Sequence, residues 1–294
     1  MIIMEDLNLF THKIVLYSII TFWSLLLVWF VLSAVICKKS SFKLNEDVRY
    51  VFVGSSHPEC AYNDSIIEHS KNYSRSGEAY CYTYAKVKGI LRDNKQIETI
   101  FVEFSNPFIY DNEEWLWSDK YLQYHYVTFS PFLTLSEQCY LFKKHISCFV
   151  RAYPFFVKDA GKKLITNHLD YTNYGGHIES LNVIDTTYEQ HLAYAEEKNV
   201  QLYFLDKIVS FCQENNVKIV FVRSPMYKDY VFWQTEDEFQ QIRKERYSEI
   251  QFLDFGHYLN NAQYFRDFQH VNKYGSDILS NYVDSILKIN TYAF

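Results

Sequence analysis

Glycine and proline are scarce, at 8 and 5 of 294 residues. That excludes collagen-like and linker-like chains and argues against an all-β fold built on many tight turns. Basic residues are outnumbered as well: 29 Lys+Arg stand against 35 Asp+Glu, a formal net charge of −6. Nucleic acid is therefore not an expected partner, because binding by counterion release needs a basic face. The 6 cysteines form no CxxC, and the histidines show no HxxxH or HxH spacing, so neither a metal nor any other cofactor is expected. A Cys139–Cys148 disulfide stays open beside the reading of the cysteines as buried free thiols. Disorder is excluded by 48% hydrophobic against 22% charged residues.

Two features are abundant. Aromatic residues reach 19%, with 26 Tyr and 24 Phe. Such side chains suit sugar faces and wet grooves, but they also fill cores. The second feature is an apolar run: the 24 residues from Ile14 to Cys37 carry no charge. As a helix the run would be about 36 Å long, enough for a hydrocarbon layer of about 30 Å with some tilt. A cleaved signal peptide has a shorter apolar region and a small-x-small site, and Ile36 is not the small residue that a lipoprotein cysteine at Cys37 would need. The expectation is a short tail (1–13) and an uncleaved single-pass transmembrane helix (14–37). Lys38, Lys39 and Lys43 follow the run while only His12 and Lys13 precede it. That charge bias points the body toward the cytoplasm, but it weakens for long flanking domains.

Residues 45–294 read as one α/β domain. Continuous apolar runs predict buried parallel strands at Val48–Val53, near Asn72–Arg75, at Ile97–Phe104, at Val217–Val222 and at Ile250–Phe255. Helical stripes fall between and after them: Tyr80, Tyr84, Val87 and Leu91; Leu205, Ile208, Val209 and Cys212; and Ile278 to Leu287. The alternation predicts a three-layer αβα (flavodoxin-like) parallel sheet of about five strands, with a long insertion, 107–187, between strands 3 and 4. In such sheets the chemistry sits at the carboxyl ends of the strands.

Two strand ends carry candidate chemistry. After the first strand comes Gly54-Ser55-Ser56-His57-Pro58, where a hydroxyl on a sharp strand-to-helix turn is held out beside backbone N–H groups. After the last comes Asp267-Phe268-Gln269-His270, a spacing at which one turn brings both side chains to one point. The carboxylate can then orient the imidazole while the imidazole takes a serine proton. Either motif alone is commonly accidental; their conjunction is the signal. His57 either lines this site or caps the helix that follows it, and Arg223 stands where it could meet a substrate.

These blocks resemble the SGNH (GDSL-like) hydrolase and acyltransferase superfamily, and within it membrane-anchored members such as the D-alanyl-lipoteichoic acid biosynthesis protein D and the polysaccharide O-acetyltransferases. Gly54-Ser55-Ser56 lies where that superfamily has Gly-Asp-Ser, which makes Ser56 the nucleophile and puts Ser55 in the place of the Asp. Asp267-x-x-His270 matches the last block, with Asn272 and Gly275 in its extension. The middle blocks depart: Gly77 stands for the oxyanion glycine, and Asn106 sits in Ser-Asn-Pro rather than Gly-x-Asn-Asp. The resemblance covers roughly residues 48–106 and 217–290. It implies a serine esterase or acyltransferase acting on a cell-surface polysaccharide or glycan, with Ser56, Asp267 and His270 catalytic and Ser56, Gly77 and Asn106 as the oxyanion hole. It also implies an extracytoplasmic domain on the cell membrane and a multi-span membrane acyltransferase partner. The insertion, with Trp115, Trp117 and Tyr174, reads either as an acceptor groove over the serine or as a helical subdomain around its own core. The alternative to an enzyme is a non-catalytic SGNH-like module for glycan binding or assembly.

Overall fold

The computed structural model describes residues 2–111, 116–144, 146–191 and 198–291. One helix, α1 (Ile2–Lys39), opens the chain, so the expected tail and apolar run are one continuous element. Between residues 10 and 28 every side chain except Leu26 is exposed. From there on one face docks: Trp29, Ser33, Ile36 and Ser40 are buried, at the 3–4 spacing of a single helix stripe. The segment Phe10–Lys39 is long and apolar enough to cross a membrane, and it is the one such helix among the described residues.

The sheet has five parallel strands in the order β2-β1-β3-β4-β5: β1 (Tyr50–Val53), β2 (Ser70–Asn72), β3 (Thr99–Glu103), β4 (Lys218–Arg223) and β5 (Gln251–Asp254). This is the flavodoxin-like winding. The second strand starts and ends earlier than its sequence suggests; beyond it Tyr73 and Arg75 still donate to the Phe52 and Gly54 carbonyls at the end of β1 before the chain turns at Ser76 and Gly77. The helices are α2 (Ser56–Ala61), α3 (Tyr80–Asp93), α4 (Leu135–Lys144), α5 (Ile146–Thr166), α6 (Asn199–Glu214), α7 (Glu236–Arg246) and α8 (Lys273–Thr291).

The pleat divides the core in two. Val51, Val53, Ile100, Val102 and Phe221 pack on one face with α3 and α6. Phe52, Phe101, Val220 and Val222 point to the other, against α2 and α8. On that second face Phe52 stacks on Phe101 at 4.6 Å and on Tyr62 at 4.5 Å. The insertion between β3 and β4 is helical through α5, and α5 runs beside α1: Tyr153 donates to the Leu25 carbonyl, and Trp29 meets Phe156 at 5.9 Å. All six cysteines are free, with Cys139 exposed and Cys148 buried, so the disulfide left open by the sequence does not form.

Phe52 sits where the second core meets the strand that carries the Gly-Ser-Ser turn. Phe52→Ala is expected to cost about 3–5 kcal/mol, read as a shift of the denaturant midpoint of the full chain in detergent micelles.

Candidate active site

The turn after β1 depends on glycine. Gly54 has φ +149°, and a Cβ there would lie 2.7 Å from the Glu103 Cβ and 2.9 Å from Pro58. That close approach brings β3 against the turn and leaves Ser56 as the first residue of α2. The Gly54 carbonyl accepts from the Arg75 N–H at 3.0 Å, which lays the loop after β2 beside the serine turn. Gly77 lies in this loop at φ +72° with the Tyr121 ring packed onto it, too close for any side chain.

The second half of the site arrives from the far edge of the sheet. After β5 the chain closes a small loop in which Phe265 bridges Val271 and the Arg266 N–H donates to the His270 carbonyl. Inside it, Asp267 Oδ1 accepts from the backbone N–H groups of Gln269 (2.8 Å) and His270 (2.9 Å). His270 Nδ1 lies 2.8 Å from Asp267 Oδ1 and 2.9 Å from Oδ2. Its Nε2 lies 2.7 Å from Ser56 Oγ. Asn272 ends the loop by accepting from the N–H groups of Tyr274 and Gly275, which caps α8. Gly275 is needed because a Cβ would lie 2.4 Å from the Tyr264 carbonyl oxygen.

Electrostatics fit a standing carboxylate beside an imidazole. Burial pushes the Asp267 carboxyl up, but its hydrogen bond to His270, the histidine's charge, the Gln269 N–H and Arg266 outweigh that and hold it well below the usual carboxylate range. Arg266 Nε lies 3.2 Å from Asp267 Oδ2.

Several expected site residues are placed otherwise. Arg223 is buried and committed: it pairs with Asp254 through two nitrogens, donates to Glu236 at 2.7 Å and to Asn106 Oδ1 at 3.1 Å, and lies over the Trp233 ring. It clamps the ends of β4 and β5 to α7. Asn106 is consumed by the same cluster, its amide nitrogen donating to Glu236 at 3.0 Å and Thr235 at 3.4 Å, so its side chain does not serve an oxyanion. His57 is 1% exposed, its ring packed against His270 and Phe108 and not open to a groove. Trp117 is buried in the hydrophobic core, and its carbonyl accepts from Cys148 and Arg151 on α5. Tyr174 is half-buried and stacked on Tyr171 at 4.7 Å. Trp115 lies outside the described residues.

The end of the insertion does something the sequence does not announce. The Ile178 N–H donates to the Glu59 carbonyl on α2, the Ile184 N–H to Phe265, and Ser180 accepts from the Lys273 N–H. This strap ties the serine helix to the loop that carries Asp267 and His270. Also missed is Glu103, 1% exposed at the end of β3, whose carboxylate accepts from Ser224 Oγ at 2.6 Å and lies 3.8 Å from His57 Nδ1. The available signal was a lone acidic residue closing an apolar strand.

No protein-family model matches the chain, and no curated protein matches it. Among solved structures it is similar to that of a "putative acylhydrolase" from Bacteroides fragilis, at 9% identity and a TM-score of 0.40, over 88% of this chain and 94% of that one. At that distance neither a reaction nor a residue role is transferred.

Burial raises the Glu103 pKa from 4.5 to about 7, against the pull of Ser224, Ser105 and Arg223. The folded state therefore holds a proton that the unfolded state releases between those two values. The stability this lends is full below pH 4.5 and is lost as pH rises through 7. Relative to Glu103→Gln, the wild-type melting temperature should fall across that window; parallel curves for the two proteins would refute the assignment.

Proposed function

We propose that the chain is a serine esterase or acyltransferase held to a membrane by α1, forming an acyl-enzyme at Ser56 and acting on a cell-surface glycan. The observation that carries this reading is the 2.7 Å contact between Ser56 Oγ and His270 Nε2, with Asp267 on the other ring nitrogen. A serine hydroxyl is a poor nucleophile until a base takes its proton. On this reading Ser56 Oγ adds to an ester carbonyl while its proton passes to His270 Nε2. The tetrahedral adduct collapses, the ester C–O bond breaks, and His270 returns the proton to the leaving alkoxide. A water or sugar hydroxyl then repeats the sequence on the acyl-enzyme and restores Ser56.

Asp267, held ionised, keeps Nδ1–H directed toward itself and offsets the imidazolium charge. The backbone N–H groups of Ser56 and Gly77 are the proposed oxyanion donors. Hydrolysis and transfer differ only in which hydroxyl attacks. The resemblance to polysaccharide acyltransferases favours a sugar hydroxyl, an extracytoplasmic domain and a multi-span partner that supplies acyl groups. At the rim, Arg75 lies 4.1 Å over Tyr124 and 5.7 Å from the Tyr174 ring, beside the loop that borders the serine. A second reading, a glycan-binding or assembly module without catalysis, draws on one observation: the Asn106 side chain is diverted to Arg223 and Glu236.

Ser56→Ala and His270→Ala should each lower aryl acetate hydrolysis by roughly 10³-fold or more, with a smaller loss for Asp267→Asn and a mild one for Ser55→Ala. A fluorophosphonate should label Ser56. If Ser56→Ala leaves both labelling and hydrolysis intact, serine chemistry at this site is refuted and the binding module takes its place. For topology, a reporter fused after Phe294 should be active only outside the cytoplasm; activity inside would end the cell-surface reading.

A further inference from the structure

Behind Ser56 and His270 lies a pair of buried groups that the proposed reaction does not use. His57, the residue after the nucleophile, has a side chain with no exposed surface. Its ring stands edge-to-face against His270, with centroids 5.1 Å apart and planes at 86°, and against Phe108 at 4.8 Å on another side. Neither of its ring nitrogens makes a hydrogen bond of good geometry among the described residues, although the Gln269 side chain acts on the ring as a hydrogen-bonding neighbour. Beyond His57 Nδ1, at 3.8 Å, is Glu103 Oε1, itself buried and held by the Ser224 N–H and Oγ. Charged and titratable groups thus form a line from the interior of the sheet to the serine: Glu103, His57, His270 and then Asp267. A buried imidazole without well-formed hydrogen bonds is costly. The Glu103 carboxylate ties the end of β3 to Ser224 after β4, yet it also faces His57.

We propose that His57 and Glu103 form a positioning pair for His270, in which a neutral His57 backs the His270 ring and Glu103 supplies negative charge behind it. The proposal rests on the serine acyl-transfer reading and deepens it. When Ser56 gives up its proton, His270 becomes a cation inside a poorly solvated site. Asp267 neutralises it on one side. A second cation at His57 would oppose it on the other. His57 is kept from becoming one: burial and the neighbouring His270 push its pKa well below the ordinary value, against the opposing pulls of Asp267 and Gln269. Glu103, poised at about 7, can ionise in the range where the reaction would run. Its field reaches His270 across a single ring, in a setting where charge is weakly screened. The other groups facing the pair are the buried Tyr62 just after α2, Arg266 and Gln269 on the Asp267 loop, Arg223 and Ser224 at the end of β4, and Ser105 after β3. Tyr80 on α3 donates to the Glu103 carbonyl and so fixes that strand end.

The test is the pH profile of fluorophosphonate labelling of the full chain in detergent, for wild type, Glu103→Gln, His57→Phe and the double variant. Glu103→Gln removes the negative charge, so the acid limb of the profile should move down by about half a pH unit, less than a full charge would give because Glu103 at about 7 is itself partly protonated on that limb. His57→Phe keeps the ring volume but removes the polar ring through which Glu103 acts on His270 in the proposed pair, so it should shift the limb in the same direction. The double variant should shift no further than either single one, since the two act as a unit. An unmoved limb in Glu103→Gln, or additive shifts in the double variant, overturns the pair, and melting temperatures taken alongside show whether each variant is folded. Absence of labelling in wild type at every pH is a different failure, that of the serine reading itself. The pair then has its own readout in histidine ring NMR: Glu103→Gln must still lower the midpoint of the His270 signal, with the His57 signal remaining that of a neutral ring down to pH 5. An unmoved midpoint refutes the pair there too.

Discussion

Everything at the site depends on one long reach. Ser56 follows β1, whereas Asp267 and His270 follow β5, and the strand order puts β3 and β4 between them. Three strand spacings amount to about 14 Å. The chain after β5 must cross that distance along the carboxyl edge of the sheet and still place a ring nitrogen 2.7 Å from a hydroxyl. Side-chain attraction alone cannot hold such a crossing, because ordering a loop costs roughly 1–2 kcal/mol of entropy per residue. Backbone hydrogen bonds hold it in stages. Met226 N–H donates to Gly256, Tyr227 N–H to Phe268, and the strap residue Ile184 to Phe265. Asn272 then caps α8 and stops the loop where His270 faces Ser56.

The same edge carries a polar network around one buried cation. Arg223 and Asn106, both buried, join the partly exposed carboxylates of Asp254 and Glu236 and lock the ends of β4 and β5 to α7. Buried charge is tolerated only where its partners are supplied, and here two carboxylates and an amide surround one guanidinium. Breaking that network from one side would leave an unpaired charge under the crossing loop. The insertion contributes in a comparable way. Its aromatic residues, Trp117 and Tyr171 among them, fill the core between α1, α5 and the sheet. Its final irregular stretch binds the two halves of the site together. Of the two readings open from the sequence, the helical subdomain accounts for Trp117, and the strap was foreseen by neither.

What could be read from the sequence divides along physical lines. The central strands β1, β3 and β4 were legible because parallel strands buried on both faces leave continuous apolar runs, the edge strand β5 was legible from Phe252 and Leu253 alone, and the stripe Tyr80, Tyr84, Val87 and Leu91 was legible because a helix has one fixed period. The second strand was placed late since Tyr73 and Ser74, buried and still lying along the end of β1, read as part of it. The meeting of Ser56 with His270 and Asp267 was anticipated from two short motifs because each is local and strand-end geometry brings such ends together. The surroundings of Arg223, Asn106 and His57 were not legible. Their settings depend on partners 13 to 213 residues away, such as Glu236 for Arg223 and His270 for His57, and no local pattern records those.

The diversion of Asn106 bears on how much the proposed chemistry can accomplish. With its side chain bound to Arg223 and Glu236, the proposed oxyanion site has only the backbone N–H groups of Ser56 and Gly77 to draw on. Loss of one oxyanion donor typically lowers a rate by about 10²–10³. A site short of one donor needs another source of stabilisation for the charge that develops when Ser56 attacks. That charge is paired: the oxyanion forms together with the imidazolium at His270, and favouring either partner lowers the same barrier. Asp267 favours the imidazolium from one side. On the proposed reading Glu103, acting through a neutral His57, favours it from the other, so an acidic residue at the end of β3 offsets in part what Asn106, three residues further along the chain, no longer supplies.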